Sequence, residues 1–265
     1  MKRRCGHDSP GSSLVNIITI EVGEQGLVSA RLDCDQVRFM VQEFKIPLSD
    51  SESTTGLLYP AAKSQRRDIT IILGHGAGAP QTSGFMVLFA TELAKRGLDA
   101  VTFNFSYMER RRGAPDPGPK LEACYSAVIT SVRSRAALAA NKLIIGGKSM
   151  GGRIASQTAA HGAVENLAGL VFLGYPLHPP GKPDQLRDKH LPEIKSPMLF
   201  VQGSKDTFGN PDELRPILAR IKVPCELFVI EGGDHSFKVP KKAGKTQDQV
   251  YTETLDKISE WVSFL

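Results

Sequence analysis

Three side chains in the sequence have the types needed for nucleophilic attack on an acyl carbon. Ser149 lies within a G-x-S-x-G pattern, Asp206 follows Gly-Ser-Lys, and His235 follows Gly-Gly-Asp. A serine hydroxyl becomes a nucleophile when an imidazole takes its proton and a carboxylate orients and stabilises the imidazolium. The sequence therefore predicts Ser149 as the nucleophile, His235 as the general base and Asp206 as the acid behind it.

A second residue in the sequence is a candidate for the acid. Asp234 is directly adjacent to His235, but a side chain seldom folds back onto the ring of its neighbour in sequence. We therefore favour Asp206 and keep Asp234 as the alternative.

The G-x-S-x-G pattern at residues 147–151 indicates a sharp turn between a strand and a helix. Glycine is needed on both sides of the serine because larger side chains would collide with the adjoining strand and helix. The pattern alone is weak, since the chain has 25 glycines, but its place between a predicted strand and a predicted helix makes it much more specific.

A glycine-rich loop after an earlier predicted strand offers backbone donors to a reacting carbonyl oxygen. This loop is His75-Gly-Ala-Gly78, and we expect the N–H of Ala77 to act with the N–H of Met150 as an oxyanion hole. The alternative is a glycine-rich turn without a catalytic role. We expect His75 itself to be structural, because the backbone of the loop would supply the donors.

Two phosphate-binding motifs overlap these segments, and each lacks a required feature. The run 147–149 would end a Walker A loop only with a glycine at position 142, where the sequence has Lys142. Residues 74–79 fit a loose dinucleotide fingerprint, but Pro80 interrupts the helix that should follow. We therefore predict no cofactor. The four cysteines have no C-x-x-C spacing, and we predict no metal site.

The predicted elements bring the three candidate residues to one edge of a sheet. After residue 68, short apolar strands alternate with amphipathic helices, which is typical of a mostly parallel sheet covered on both faces. In such a sheet the loops beyond the carboxyl ends of the strands carry the chemistry. Each candidate follows a predicted strand. The strands are predicted over 69–73, 100–105, 142–145, 170–173, 198–201 and 226–230, and the helices over 85–95, 121–138, 151–161, 211–221 and about 250–265.

The N-terminal quarter has a different pattern. We expect a disordered polar head over residues 1–13 and a β-rich segment of uncertain extent over residues 14–67. The α/β core is predicted over residues 68–265.

Composition excludes several classes of protein. The 265 residues are 41% hydrophobic and 23% charged, which suits a globular core and excludes a disordered or fibrous chain. No apolar run approaches the roughly 18 residues of a membrane span, and no apolar segment follows the basic N-terminus as a signal peptide requires. No nucleic-acid motif accompanies the net charge of +5, so we expect no nucleic-acid partner. Four scattered cysteines indicate reduced thiols and a cytoplasmic or nuclear location.

Five segments of the chain have specific motifs. They are Gly74-His-Gly-Ala-Gly-Ala-Pro80, Gly146-Gly-Lys-Ser-Met-Gly-Gly-Arg153, Leu173-Gly-Tyr-Pro-Leu-His178, Gln202-Gly-Ser-Lys-Asp206 and Gly232-Gly-Asp-His-Ser-Phe237. Together they resemble the dienelactone-hydrolase-like branch of the α/β-hydrolases, and the resemblance extends from Asp68 to the C-terminus. The chain order Ser149, Asp206, His235 is also that of α/β-hydrolases. The sequence is most similar to a poorly characterised group that includes testis-expressed and chromatin-complex hydrolase-like proteins together with plant and bacterial members.

The resemblance implies an α/β-hydrolase fold with a twisted, mostly parallel sheet and a serine esterase or thioesterase acting on a small acyl substrate. Dienelactone hydrolase itself uses a cysteine nucleophile, whereas this chain has Ser149, so its substrate is not carried over. Residues 174–196 stand where hydrolases have a cap, and their small number predicts a short cap over an open site. Arg110, Arg111 and Arg112 follow a strand at the same edge, where they either attract an acidic substrate at the pocket rim or form a solvated cluster.

Two other functions stay open at this point. A noncatalytic interaction module with the same fold is allowed by the resemblance to a chromatin-complex subunit, and a protein partner is then expected. An intact nucleophile turn argues against that module, because a scaffold has no need of strained backbone. An acyltransferase or perhydrolase would use the same triad, and the sequence does not separate it from a hydrolase.

Overall fold

The computed structural model describes residues 19–22, 27–31, 40–162 and 164–265. The head predicted over residues 1–13 lies outside these residues. The described chain forms ten strands in one sheet. They are β1 Thr19–Val22, β2 Leu27–Arg31, β3 Met40–Pro47, β4 Ser53–Tyr59, β5 Ile69–Gly74, β6 Asp99–Phe103, β7 Lys142–Lys148, β8 Leu167–Leu173, β9 Met198–Gly203 and β10 Cys225–Ile230.

The sheet has the order β1-β2-β3-β4-β6-β5-β7-β8-β9-β10. Strands β1 to β4 pair antiparallel, and β4 is also antiparallel to β6. The remaining six strands, β5 to β10, are all parallel to one another. β5 and β7 are buried almost throughout and rich in Ile and Leu, as strands covered on both faces must be. The predicted mostly parallel α/β sheet is confirmed.

Helices cover both faces of this sheet. They are α1 Gly84–Lys95, α2 Ser106–Glu109, α3 Gly118–Arg133, α4 Met150–Ala160, α5 Pro211–Leu218 and α6 Gln247–Val262. Helices α1 and α6 pack on one face, and α3, α4 and α5 pack on the other, each face with its own apolar cluster. α3 begins earlier than predicted, because Pro119 is well suited to a first helical turn, and it also ends earlier, at Arg133. The short α2 was missed by the sequence reasoning.

The N-terminal strands extend the same sheet. β4 lies beside β6 through the pairs Gly56 with Phe103 and Tyr59 with Ala100. Residues 40–59 therefore share the core of the later strands, while the boundary at residue 68 stays a prediction. No helix in the described ranges has the length and apolar character needed to cross a bilayer.

The hydroxyl of Tyr125 joins α3 to the two central strands just before the turn that carries Ser149. It accepts the N–H of Gly146 at 3.1 Å and lies 2.7 Å from the carbonyl oxygen of the same residue and 3.0 Å from that of Ile72. Burial raises the pKa of this phenol far above its usual value, so it stays neutral.

We expect Tyr125→Phe to lower the free energy of unfolding by about 1–3 kcal/mol, because it leaves buried backbone groups of β7 without this partner. Urea unfolding followed by circular dichroism measures the loss. A loss below about 0.5 kcal/mol would contradict this role of the hydroxyl.

Candidate active site

Ser149 lies on the turn between β7 and α4 with strained backbone. Its φ is 51° and its ψ is −114°, a conformation that non-glycine residues adopt rarely. Its N–H donates to the carbonyl oxygen of Leu173 at 3.0 Å, which ties the turn to β8. The turn therefore has the geometry that the G-x-S-x-G pattern predicts.

The glycines on either side of Ser149 permit a close approach to β5. A Cβ on Gly147 would lie 2.2 Å from the carbonyl oxygen of Gly74, and Gly147 also has a φ of 150°. A Cβ on Gly151 would lie 2.1 Å from the same oxygen. No side chain fits at such distances, so both glycines are needed to pack the turn against β5.

His235 lies between Ser149 and Asp206. Its Nε2 is 2.8 Å from the Ser149 Oγ, and its Nδ1 is 2.8 Å from the Asp206 Oδ2. The ring also stacks on Phe208, with centroids 4.1 Å apart and planes 27° apart. The three residues predicted from sequence thus form one continuous chain of hydrogen bonds.

The carboxylate of Asp206 is buried and held by two further donors. Gln202 Nε2 donates to its Oδ2 at 2.8 Å, and the N–H of Phe208 donates to its Oδ1 at 2.8 Å. Gln202 is itself fully buried and accepts the N–H of Tyr175 through its Oε1 at 2.8 Å. Because donors surround it, this carboxylate acts as an acceptor for the His235 ring.

Asp234, the alternative acid, has another use. Its Oδ1 accepts the N–H groups of Ser236 at 2.7 Å and Lys238 at 2.9 Å, which closes the turn around His235. The Asp234 side chain therefore accepts hydrogen bonds from the backbone of its own loop, whereas the Asp206 carboxylate lies within hydrogen-bond distance of the His235 imidazole.

The loop that carries Ala77 lies next to Ser149. A Cβ on Gly76 would lie 3.7 Å from the Ser149 Cβ, and Ala77 lines the cavity beside the serine. Met150 is the first residue of α4, a position whose N–H has no intrahelical partner. Of the two expected oxyanion donors, Met150 is therefore adjacent to Ser149 in the sequence, and Ala77 is near it in space.

The buried side chain of His75 holds this loop in place through two hydrogen bonds, which agrees with the structural role expected for it. Its Nδ1 donates to the carbonyl oxygen of Gly76 at 2.8 Å, and its Nε2 accepts the N–H of Phe105 at 3.0 Å. Burial lowers the pKa of His75 to about 4, so the ring is neutral at physiological pH. One tautomer therefore bridges the ends of β5 and β6.

A cavity of about 430 Å³ opens beside Ser149 and His235. Its walls are largely apolar and aromatic and come from α1, α6, the Ser149 turn and the loops after β5, β9 and β10. The charged side chains in the lining are Lys148 and Lys238. The apolar lining residues include Phe85, Met86, Phe208 and Tyr251.

Lys148 is a charged residue of this site that sequence reasoning missed, because it was considered only as part of a rival phosphate loop. It precedes Ser149, lines the cavity, and donates from its Nζ to the carbonyl oxygen of His235. Its position inside the G-x-S-x-G pattern was a signal, but the direction of the side chain was not visible in the sequence.

The pocket-rim interpretation of the arginines is wrong for this cavity. Arg110 pairs with Glu52 and with Asp116 on the surface, and Arg111 and Arg112 are exposed. None of the three lines the cavity beside Ser149. The three arginines form the solvated surface cluster that was the alternative interpretation.

The predicted cap segment is short in the structure and contains one turn of 3-10 helix, Leu191–Glu193. It lines no part of the cavity beside Ser149. Tyr175 from this segment is buried against Phe172 and Phe200 instead. A covering role over the site stays a prediction.

No group of three or more His, Cys, Asp or Glu side chains within the described ranges is placed to hold a metal ion.

A family model described as an alpha/beta hydrolase domain matches residues 67–263. The chain belongs to the alpha/beta hydrolase family. The match includes every strand from β5 to β10 and all six helices, and with them the whole site around Ser149. Membership of the narrower dienelactone-hydrolase-like group stays a prediction.

Solved structures of the same fold include hydrolases from several organisms. An alpha-beta serine hydrolase homologue from Coxiella burnetii is 21% identical with a TM-score of 0.64, over 83% of this chain and 96% of its own. A dienelactone hydrolase from Anabaena variabilis is 19% identical with a TM-score of 0.64, over 84% and 98%. An esterase from Pyrococcus furiosus is 18% identical with a TM-score of 0.67, over 85% and 91%. At these identities the likeness establishes the fold.

Proposed function

We propose that this alpha/beta hydrolase domain is a serine esterase or thioesterase that cleaves small acyl substrates through an acyl-enzyme. The observation that carries the proposal is the hydrogen-bonded chain from Ser149 through His235 to Asp206, with both links at 2.8 Å. The strained turn at Ser149 supports it, because strained backbone persists where function requires a side chain in one place.

In the proposed reaction the Ser149 Oγ attacks the acyl carbon while its proton passes to the Nε2 of His235. Asp206 accepts a hydrogen bond from the Nδ1–H and stabilises the imidazolium as it forms. The imidazolium then gives its proton to the departing alcohol or thiol, which leaves an acyl group on Ser149. Water, deprotonated by His235, attacks this acyl group and releases the acid.

The negative oxygen of the tetrahedral intermediate would lie between the N–H of Ala77 and the N–H of Met150. An oxyanion donor of this kind contributes about 3–4 kcal/mol to the stability of the transition state. The neutral ring of His75 supports this assignment, because its two hydrogen bonds hold the Ala77 loop in place without adding charge.

The cavity lining supports a small, mainly apolar acyl group. Its volume of about 430 Å³ is toward the lower end of the range found for small-molecule sites, about 300–1,000 Å³. Phe85, Met86 and Tyr251 would contact the acyl chain, and Phe208 would contact both the chain and the His235 ring.

Turnover of short p-nitrophenyl esters tests the proposal. We expect steady hydrolysis of the acetate and butyrate, because the Nε2 of His235 is placed to take the proton of Ser149. A burst of nitrophenol before the steady state would reveal the acyl-enzyme. Comparing the turnover of each ester with that of a thioester of the same acid shows which bond the enzyme cleaves faster. Competing alcohol or hydrogen peroxide separates a hydrolase from an acyltransferase or perhydrolase.

Absence of any ester or thioester turnover, together with absence of covalent labelling at Ser149, would overturn the proposal. That result would favour the noncatalytic interaction module with the same fold.

A further inference from the structure

The side chain of Lys148 connects the turn of the nucleophile to the loop of the base. Its Nζ donates to the main-chain carbonyl oxygen of His235 at 2.5 Å, although 86 residues separate Ser149 from His235 in the sequence. Lys148 is adjacent to Ser149, so this bond joins the two loops that must stay in register for proton transfer. A hydrogen bond from a charged donor to a neutral acceptor is stronger than one between two neutral groups.

A space built into the fold receives the lysine head group. Gly174, with a φ of 69°, lies opposite, and a Cβ there would be 2.8 Å from the Lys148 Nζ and 3.4 Å from the His235 Nδ1. The ammonium also lies 5.2 Å from the centre of the Phe237 ring and 5.9 Å from that of Phe85. The lysine nitrogen and the imidazole are therefore close neighbours in a partly apolar setting.

The titratable groups around this pair come from three parts of the chain, the loop after β9, the loop after β10 and α6. Asp206 follows β9, Asp234 is in the loop after β10, and both carboxylates attract the Lys148 ammonium. Lys238 in the same loop and Tyr251 of α6 complete the titratable lining near His235. Burial lowers the pKa of Lys148 to about 8, although the two carboxylates act to raise it. The lysine is therefore mostly charged at neutral pH.

We propose that Lys148 is a positioning residue, whose ammonium holds the His235 loop against the nucleophile turn and whose charge makes His235 available as a base at lower pH. The inference rests on the proposed function of Ser149 and His235. A nearby positive charge disfavours the imidazolium, so its removal allows His235 to keep its proton to higher pH. Loss of the bond to the carbonyl oxygen separately loosens the alignment of Nε2 with Oγ.

The test measures the rate at which a fluorophosphonate labels Ser149 between pH 5 and 9. In this reaction the Oγ displaces fluoride from phosphorus and His235 takes the hydroxyl proton, so no natural substrate is required. For Lys148→Met we expect about a tenfold lower maximal labelling rate, with the probe concentration for half-maximal rate little changed. We also expect the acid limb of the profile to move upward by about 0.5–1 pH unit.

Two further variants make the result specific. Lys148→Arg keeps a positive charge, so its acid limb should stay within about 0.2 pH unit of wild type even if its rate falls. Lys205→Met removes an exposed lysine next to Asp206 and should leave both rate and profile close to wild type, because exposed charges are screened. Circular dichroism and thermal unfolding establish that each variant is folded.

An unchanged acid limb in folded Lys148→Met, or an equal shift in Lys205→Met, would overturn the proposal. If Lys148→Met does not fold, an acid limb displaced by more than about 0.5 pH unit in Lys148→Arg would overturn it instead. These outcomes differ from failure of the proposed function, in which wild type itself is not labelled at Ser149.

Discussion

Asp206→Asn should lower kcat for ester hydrolysis by about ten-thousandfold, with little change in the fold. The amide would meet two donors, the His235 Nδ1–H and the Gln202 Nε2, where the carboxylate Oδ2 now accepts both. The imidazole would then adopt the other tautomer, in which Nε2 carries the proton and points it at Ser149. A ring in that tautomer cannot take the serine proton, so steady-state hydrolysis of p-nitrophenyl acetate measures the loss.

Asp234→Asn is the matched control for this change. Its amide oxygen can still accept the N–H groups of Ser236 and Lys238 that the Asp234 Oδ1 now accepts, so the turn around His235 is kept. We expect a loss of less than about threefold. A larger loss in Asp234→Asn than in Asp206→Asn would transfer the role of the acid to Asp234.

Ser149→Ala should lower kcat by about a millionfold, the scale seen when the nucleophile of such a triad is removed. Alanine must adopt the same positive φ that Ser149 has, so the thermal unfolding midpoint should stay close to that of wild type. The residual rate would come from substrate binding and the oxyanion donors alone. The same ester assay, with the spontaneous rate subtracted, measures the change.

Ser236→Ala is the matched comparison, since Ser236 lines the same cavity while its N–H donates to Asp234 and is kept in the variant. We expect its kcat to stay within about fivefold of wild type. Retention of more than a tenth of wild-type activity in Ser149→Ala would remove the serine from the mechanism.

The sequence was sufficient for the parallel part of the fold and for three residues that the structure joins by hydrogen bonds, Ser149, His235 and Asp206. Strands such as β5 and β9 are short and apolar, and each ends at a glycine, so the amino-acid pattern alone locates their carboxyl ends. Because neighbouring parallel strands end at one edge, residues that follow them meet there. Asp206 was preferred to Asp234 because a side chain seldom folds back onto the ring of its neighbour in sequence. In the structure the Asp206 Oδ2 lies 2.8 Å from the His235 Nδ1.

Features that depend on side-chain direction were beyond the sequence. Arg110 follows a strand at the correct edge, yet its pairing with Glu52 and Asp116 depends on where the α2 turn and the β3–β4 connection meet. Lys148 was ambiguous for the same reason, because a residue on a sharp turn can point to either side. The short α2 has too few residues to show helical periodicity. The cellular location, the partners and the small acyl substrate stay predictions.

The most direct measurement of the central claim is to map the site of covalent modification after wild-type protein reacts with a fluorophosphonate. An activated serine on a strained turn should react far faster than other hydroxyls, so peptide mass spectrometry should find one adduct, on Ser149. Prior reaction with a slowly hydrolysed ester should protect that residue. An adduct on another residue, or no adduct under conditions that label a known serine esterase, would contradict the account.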